Sequence, residues 1–201
     1  MIRAIVLFII ILSGSFIKGH SQNSPKSFSL SLGNDTISLR GIKTNLIYDL
    51  TSTLNLGAEL YLSKKLSLDI SLNYNPWTFS NNRKFKHFLF QPELRHWLKE
   101  SFKEDFLGVH LIYSHYNVGN LPFGSFKNNR YQGDAYGIGF SYGYQWLLSP
   151  LWSMEATLGV GYVYMDYTRY ECKTCGSELG KGSRNYIGPT KIGFSFIYIL
   201  Q

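Results

Sequence analysis

The chain has 201 residues, with 20 Lys and Arg against 13 Asp and Glu and a formal charge of +7. Its positive residues are dispersed, which excludes the concentrated basic stripe of a nucleic-acid binder. Aromatics make up 16 %, with 15 Tyr and 14 Phe beside 19 Gly. Beyond the first residues no apolar run approaches the roughly 20 residues of a spanning helix, so any membrane crossing falls to strands.

Arg3 opens the chain, residues 5–12 are an unbroken apolar run, and the small residues Gly19 and Ser21 precede Gln22. A basic start, a short apolar core and a small-residue exit read as a cleaved signal peptide over residues 1–21. Lys18 and His20 break the run too early for a membrane anchor, and no Cys follows it to carry a lipid. Residues 22–40, where 28–32 and 36–39 alternate weakly, are expected to be a periplasmic lead-in. Residues 41–201 then form one domain.

In that domain, alternation of apolar and polar residues with period two marks strands. Ile42, Thr44, Leu46 and Tyr48 oppose Lys43, Asn45, Ile47 and Asp49. Leu54 to Leu62 and Leu66 to Tyr74 follow, placing Glu59 and Asp69 among small or polar residues opposite rows of Leu and Ile. The fourth strand, about residues 86–98, sets Phe88, Phe90 and Leu94 against Gln91, Glu93 and Arg95. The fifth sets Leu107, Val109, Leu111 and Tyr113 against Gly108, His110 and Ser114. The sixth, residues 135–148, carries Tyr136, Ile138, Phe140, Tyr142, Tyr144 and Trp146 on one side and Ala, Gly, Ser and Gln on the other. The seventh runs from Trp152 to Tyr164 with Glu155 on its polar face, and the last, residues 191–200, places Lys191, Gly193 and Ser195 opposite Ile192, Phe194 and Phe196.

Bulky apolar residues opposite a nearly bare face suit lipid outside and a crowded interior within. The expected fold is therefore all-β: an eight-stranded antiparallel transmembrane β-barrel of the Gram-negative outer-membrane type. Links at 63–65, 99–103 and 149–150 are short, whereas 75–85, 117–132 and 167–186 are long. This matches short periplasmic turns and long external loops, with both termini periplasmic. The first external link, near residues 50–53, is unexpectedly short. Pro92, inside the fourth strand, cannot donate its ladder hydrogen bond and is expected to sit at a bulge.

Lys43, Asp49, Glu59, Asp69, Glu93, Arg95, His110, Glu155 and Lys191 all fall on the interior face. Eight strands leave an interior just filled by side chains, and charges buried there need partners. An ion-pair network that plugs the barrel is the expectation, with a small gated conduit as the sharper alternative. Cys172 and Cys175 fit a zinc half-site, a redox motif or a disulfide within one loop. The lack of a second ligand pair and the export signal favour the disulfide. His115, on the lipid face with Asp134 nearby, raises a lipid-modifying enzyme, but Ser114 points inward and no hydroxyl nucleophile shares the patch. Arg83, Lys84, Lys127, Arg130, Arg169, Lys173, Lys181 and Arg184 make the external loops cationic, suited to the phosphates of outer-membrane lipid and glycolipid.

Several strings carry a resemblance. Lys43-Thr44-Asn45-Leu46-Ile47-Tyr48, Tyr74-Asn75-Pro76-Trp77-Thr78-Phe79, Gln91-Pro92-Glu93-Leu94-Arg95, Tyr142-Gly143-Tyr144-Gln145-Trp146 and Gly188-Pro189-Thr190-Lys191 occur in the order seen in a bacterial family catalogued as a domain of unknown function. The similarity spans roughly residues 40–200. It implies a small outer-membrane protein, in some cases encoded near fimbrial or other surface-structure genes, and makes Pro92 a family feature. It implies no activity, cofactor or binding residues. The end Tyr198-Ile199-Leu200-Gln201 departs from the terminal aromatic of many outer-membrane barrels. The expected function is a non-enzymatic surface barrel that binds or scaffolds through its loops, its partner an extracellular or surface-structure protein. A lipid-modifying enzyme and a soluble lipocalin-like carrier, with the faces reversed, are the alternatives.

Overall fold

The computed structural model describes residues 29–32, 35–122, 124–171 and 176–200. The expected signal peptide, residues 22–28 of the lead-in, and Cys172 with Cys175 lie outside the described residues. The strands are β1 (Ser29–Leu32), β2 (Asp35–Asn45), β3 (Leu54–Ser63), β4 (Leu66–Asn75), β5 (Thr78–Phe79), β6 (Arg83–Trp97), β7 (Glu104–Gly119), β8 (Asn129–Ser149), β9 (Trp152–Glu171) and β10 (Glu178–Ile199). One short helix, α1 (Leu46–Leu50), follows β2. Every strand pairing is antiparallel. The sheet runs β2-β10-β9-β8-β7-β6-β4-β3, and β3 pairs back onto β2, so that these strands close in a ring. The small strands β1 and β5 attach to β2 and β6 outside that circuit.

The register fixes the geometry of the ring. One way round, Gly41 leads through Glu59, Asp69 and Glu93 to His110. The other way, Asn45 leads through Ser195, Glu155 and Gln145 to Glu104. Gly41 and Asn45 are four positions apart and His110 and Glu104 six, so a circuit returns with a stagger of ten residues. With about 3.4 Å per residue and about 4.8 Å between strands, this stagger tilts the strands by about 41° from the ring axis.

The two faces sort as the alternation demands. Outward rows leave large apolar side chains exposed, Phe140 at 68 % and Leu56, Leu111, Leu158 and Ile192 all more than half exposed. The inward rows bury Glu59, Asp69, Glu93, Arg95, His110 and Glu155.

Four expectations are corrected. The first ring strand is Asp35–Asn45, so residues 35–40 belong to the sheet, with Ser38 and Leu39 paired to β3, and not to a lead-in. Residues 46–50 are helical; Leu46-Ile47-Tyr48 satisfies a helical as well as an extended pattern, and the Asn45 side chain caps the helix by accepting from the Ile47 N–H at 3.1 Å. The first link therefore spans residues 46–53 and is not short. The long links at 117–132 and 167–186 are mostly sheet, since β8 pairs with β9 out to Asn129 and Glu171, and β9 with β10 out to Tyr170 and Glu178. There both faces are polar, so the apolar alternation that marks the strands lower down is absent. Finally, Pro92 makes no bulge. Phe90–Tyr113 and Glu93–His110 keep one register across it, and only the pairs at Gln91 and Pro92 are missing from the ladder to β7.

Candidate functional site

The interior is organised around Arg95 on β6, which is fully buried. Its Nε donates to Glu93 Oε1 at 2.7 Å, Nη1 to Glu155 Oε2 at 2.7 Å and Glu59 Oε1 at 3.1 Å, and Nη2 to Asp69 Oδ2 at 2.8 Å and Glu155 Oε1 at 3.0 Å. One planar guanidinium thus meets carboxylates from β3, β4, β6 and β9, a fan of directions that a lysine ammonium does not supply. Its other side is covered by Phe106, with the ring centroid 4.2 Å from Cζ.

Two lysines bring to three the cations that face these four carboxylates. Lys43 on β2 lies 3.1 Å from Asp69, 3.3 Å from Glu155 and 3.6 Å from Glu59. Lys191 on β10 reaches Glu93 at 2.9 Å and Asp69 at 3.2 Å. His110 on β7 sits 3.6 Å from Glu93 through Nδ1 and 2.9 Å from Thr190 Oγ1 through Nε2. The structure therefore brings together Lys43, Glu59, Asp69, Glu93, Arg95, His110, Glu155 and Lys191. Asp49 is not among them: it is exposed on α1, accepting from Thr44 Oγ1 and Asn55 Nδ2 at 2.9 and 2.7 Å. The turn into α1 carries it away from the interior row.

Sequence reasoning missed a second set. Ser141 on β8 donates to Glu93, Ser67 to Glu59 and Thr157 to Glu155, at 2.9, 2.8 and 2.7 Å. With Ser141 every strand of the ring contributes a side chain to the cluster. These hydroxyls occupy carboxylate lone pairs that the cations leave open, which is what makes a buried ionic group tolerable. Below the cluster, fully buried Trp97 and Phe106 pack with ring centroids 4.9 Å apart, and Trp97 Nε1 donates to Ser67 at 2.8 Å. Gly143 faces this pair, and a Cβ there would collide with the Phe106 ring. Parity placed both aromatics inside, but a small-residue interior had no use for them.

Beside the cluster toward α1 there is a void of about 30 Å³, the volume of one water molecule, and the aromatic pair closes the other side. A larger cavity of about 610 Å³ opens at the turn end, bordered by Arg40, Tyr61, Lys64, Glu100, Phe102 and Gln145. There Lys103 donates to Glu100 at 2.7 Å and holds its carboxyl below the usual range.

Outside the ring, His115 and Asp134 are cross-strand partners. The His115 ring Nδ1 lies 2.9 Å from Asp134 Oδ1, and Tyr113 donates to the same oxygen at 3.2 Å. Ser114 alternates to the interior face.

A model of a protein family of unknown function, DUF3575, matches residues 13–200. The chain belongs to the DUF3575 family. No curated protein and no solved structure matches it. In this DUF3575 member the strings quoted above fall on Lys43 and Asn45, on the β4–β5 corner, on the Glu93–Arg95 pair, on Gly143 with Gln145, and on Thr190 with Lys191. Each string thus includes a residue that builds the interior or the α1 corner.

Proposed function

We propose that the protein is a small outer-membrane β-barrel with a filled interior, non-enzymatic, whose external hairpins display a binding or scaffolding surface. The observation that carries this reading is the inversion of the two faces: charge is buried and bulky hydrocarbon is exposed all round a closed ring. A water-soluble barrel reverses that arrangement.

The height of the exposed apolar rows agrees. On β7 they run between Asp105 and His115, which at about 3.4 Å per residue and a tilt of about 41° is roughly 25 Å, the thickness of the apolar band of such barrels. Aromatics mark both limits, with Trp146, Trp152 and Tyr198 toward the turns and Tyr113, Tyr136 and Tyr164 toward the hairpins. That no helix among the described residues is long and apolar enough to span a membrane leaves this reading untouched, because in it the strands do the crossing. The interior network serves as a plug that locks the ring.

The test is extraction. The exported polypeptide is expected in the outer-membrane fraction, released only by detergent, and compact on a gel until boiled. Recovery from the aqueous phase without surfactant would overturn the proposal.

A further inference from the structure

The wall of the ring is uneven in height. β2 gives way to α1 at Asn45, opposite Ser195, whereas β10 continues from Phe194 back to Glu178 with β9 as its one strand partner among the described residues. Asn45 lies four strands round from Glu104 along the register. At about 4.8 Å per strand and a tilt of about 41°, it stands about 13 Å above Glu104, against about 28 Å for His115. The β2–α1–β3 corner therefore ends near mid-height of the exposed apolar rows. Asn75 and Trp77 clamp it there through hydrogen bonds to Thr53 and Ser52 at 3.0 and 2.8 Å. At the corner α1 packs against β10, and beyond that helix no described strand pairs with β10 on this side, which leaves a lateral opening in the wall.

The wall opposite this opening, on β7, β8 and β9, carries an apolar patch. Above the ion cluster the inward rows of β7, β8 and β9 change character, and Ile112, Ala135 and Val163 form a buried cluster with Leu89, Tyr116 and Met165 packed against it, whereas Asn73, Asn75 and Gln91 keep the inward side of β4 and β6 polar. The edge of β10, in contrast, is poorly suited to receive a strand. Asn45 donates to the Ile192 carbonyl and accepts from the Phe194 N–H at 3.1 and 3.2 Å, Gln91 donates to the Thr190 carbonyl at 3.1 Å, and Tyr186 donates to the Pro189 carbonyl at 3.3 Å. Along residues 189–194 side chains thus occupy main-chain groups that an added strand would use, and Pro189 has no N–H to offer. At its upper rim stand the exposed cations Arg83, Lys181 and Arg184.

Resting on the membrane reading above, we propose that this opening admits one acyl chain of an anionic membrane lipid into the upper interior, its head group held at the Arg83–Arg184 rim. The inward apolar cluster matches the chain, the cations match the phosphate, and continuity with the exposed apolar rows supplies the route.

The full-length protein would be reconstituted in phosphatidylcholine vesicles containing a little phosphatidylglycerol with a diazirine near the end of one chain. After irradiation, labelled residues are mapped by peptide mass spectrometry. Labelling of Leu89, Ile112, Val163 or Met165 is expected in addition to outward residues such as Phe140. Arg184→Glu, which leaves the apolar cluster intact, should lower inward labelling at least about fivefold, the factor for losing one contact of about 1 kcal/mol per basic residue, without changing that of Phe140. Labelling confined to outward residues of an inserted protein overturns the acyl site and leaves the barrel standing. Equal inward labelling in Arg184→Glu overturns the head-group assignment, and failure to insert at all removes both readings.

Discussion

Arg95 shows how a charge is made tolerable inside a protein. Moving one guanidinium out of water costs several kcal/mol, recovered only when its donors are all engaged. Here they meet four carboxylates, and the carboxylates are met in turn by Lys43, Lys191 and three hydroxyls. Arg95→Ala leaves those acids uncompensated and is expected to destabilise the fold by about 3–5 kcal/mol. The readout is a lower temperature for conversion of the compact form on a detergent gel. An unchanged transition would show that the network contributes nothing. The charged members were legible because each lies on the inward parity of a strand. Ser67, Ser141 and Thr157 were not, since a small polar residue on that face reads equally well as a space filler.

At the scale of elements, Asn45 decides where a strand becomes a helix. Its side chain ends the β2–β10 ladder at Ile192 and Phe194 and caps α1 at Ile47. Asn55 holds its main chain, accepting from Asn45 N at 2.6 Å and donating to its carbonyl at 3.2 Å. Asn45→Ala should cost about 1 kcal/mol for the lost cap, with faster amide exchange at Ile47 and Phe194 and no change at buried Ile197. Uniform acceleration across β10 would instead mean that the whole seam had loosened. Periodicity does not show this corner, because residues 46–49 fit either repeat and tertiary hydrogen bonds choose between them. The upper hairpins escaped for another reason: above the apolar rows both faces meet water, and strands there carry no contrast to read.

For the whole molecule, the proposed barrel depends on an unbroken hydrocarbon surface. Phe140 lies in the middle of its outward row, and Phe140→Arg should oppose insertion by about 2–4 kcal/mol, the cost of a cation near the bilayer midplane. Arg169→Glu, on the upper hairpin, should leave insertion unchanged. Refolding yields into lipid vesicles compare the two, and equal yields would count against a lipid-facing Phe140.

The one-dimensional pattern was enough to specify the strands of the ring, their count of eight, the face of each interior charge except Asp49, which the turn into α1 carries outside, and the family strings, because within a strand side-chain direction alternates with chain position and needs no partner to be known. The stagger of ten residues, the halt of β2 at mid-height, the hydroxyl partners and the half-open seam beside β10 depended on the tertiary structure. Each of these is a relation between strands distant in sequence, set by register and hydrogen bonding across the ring, and periodicity within one strand carries no information about its neighbour.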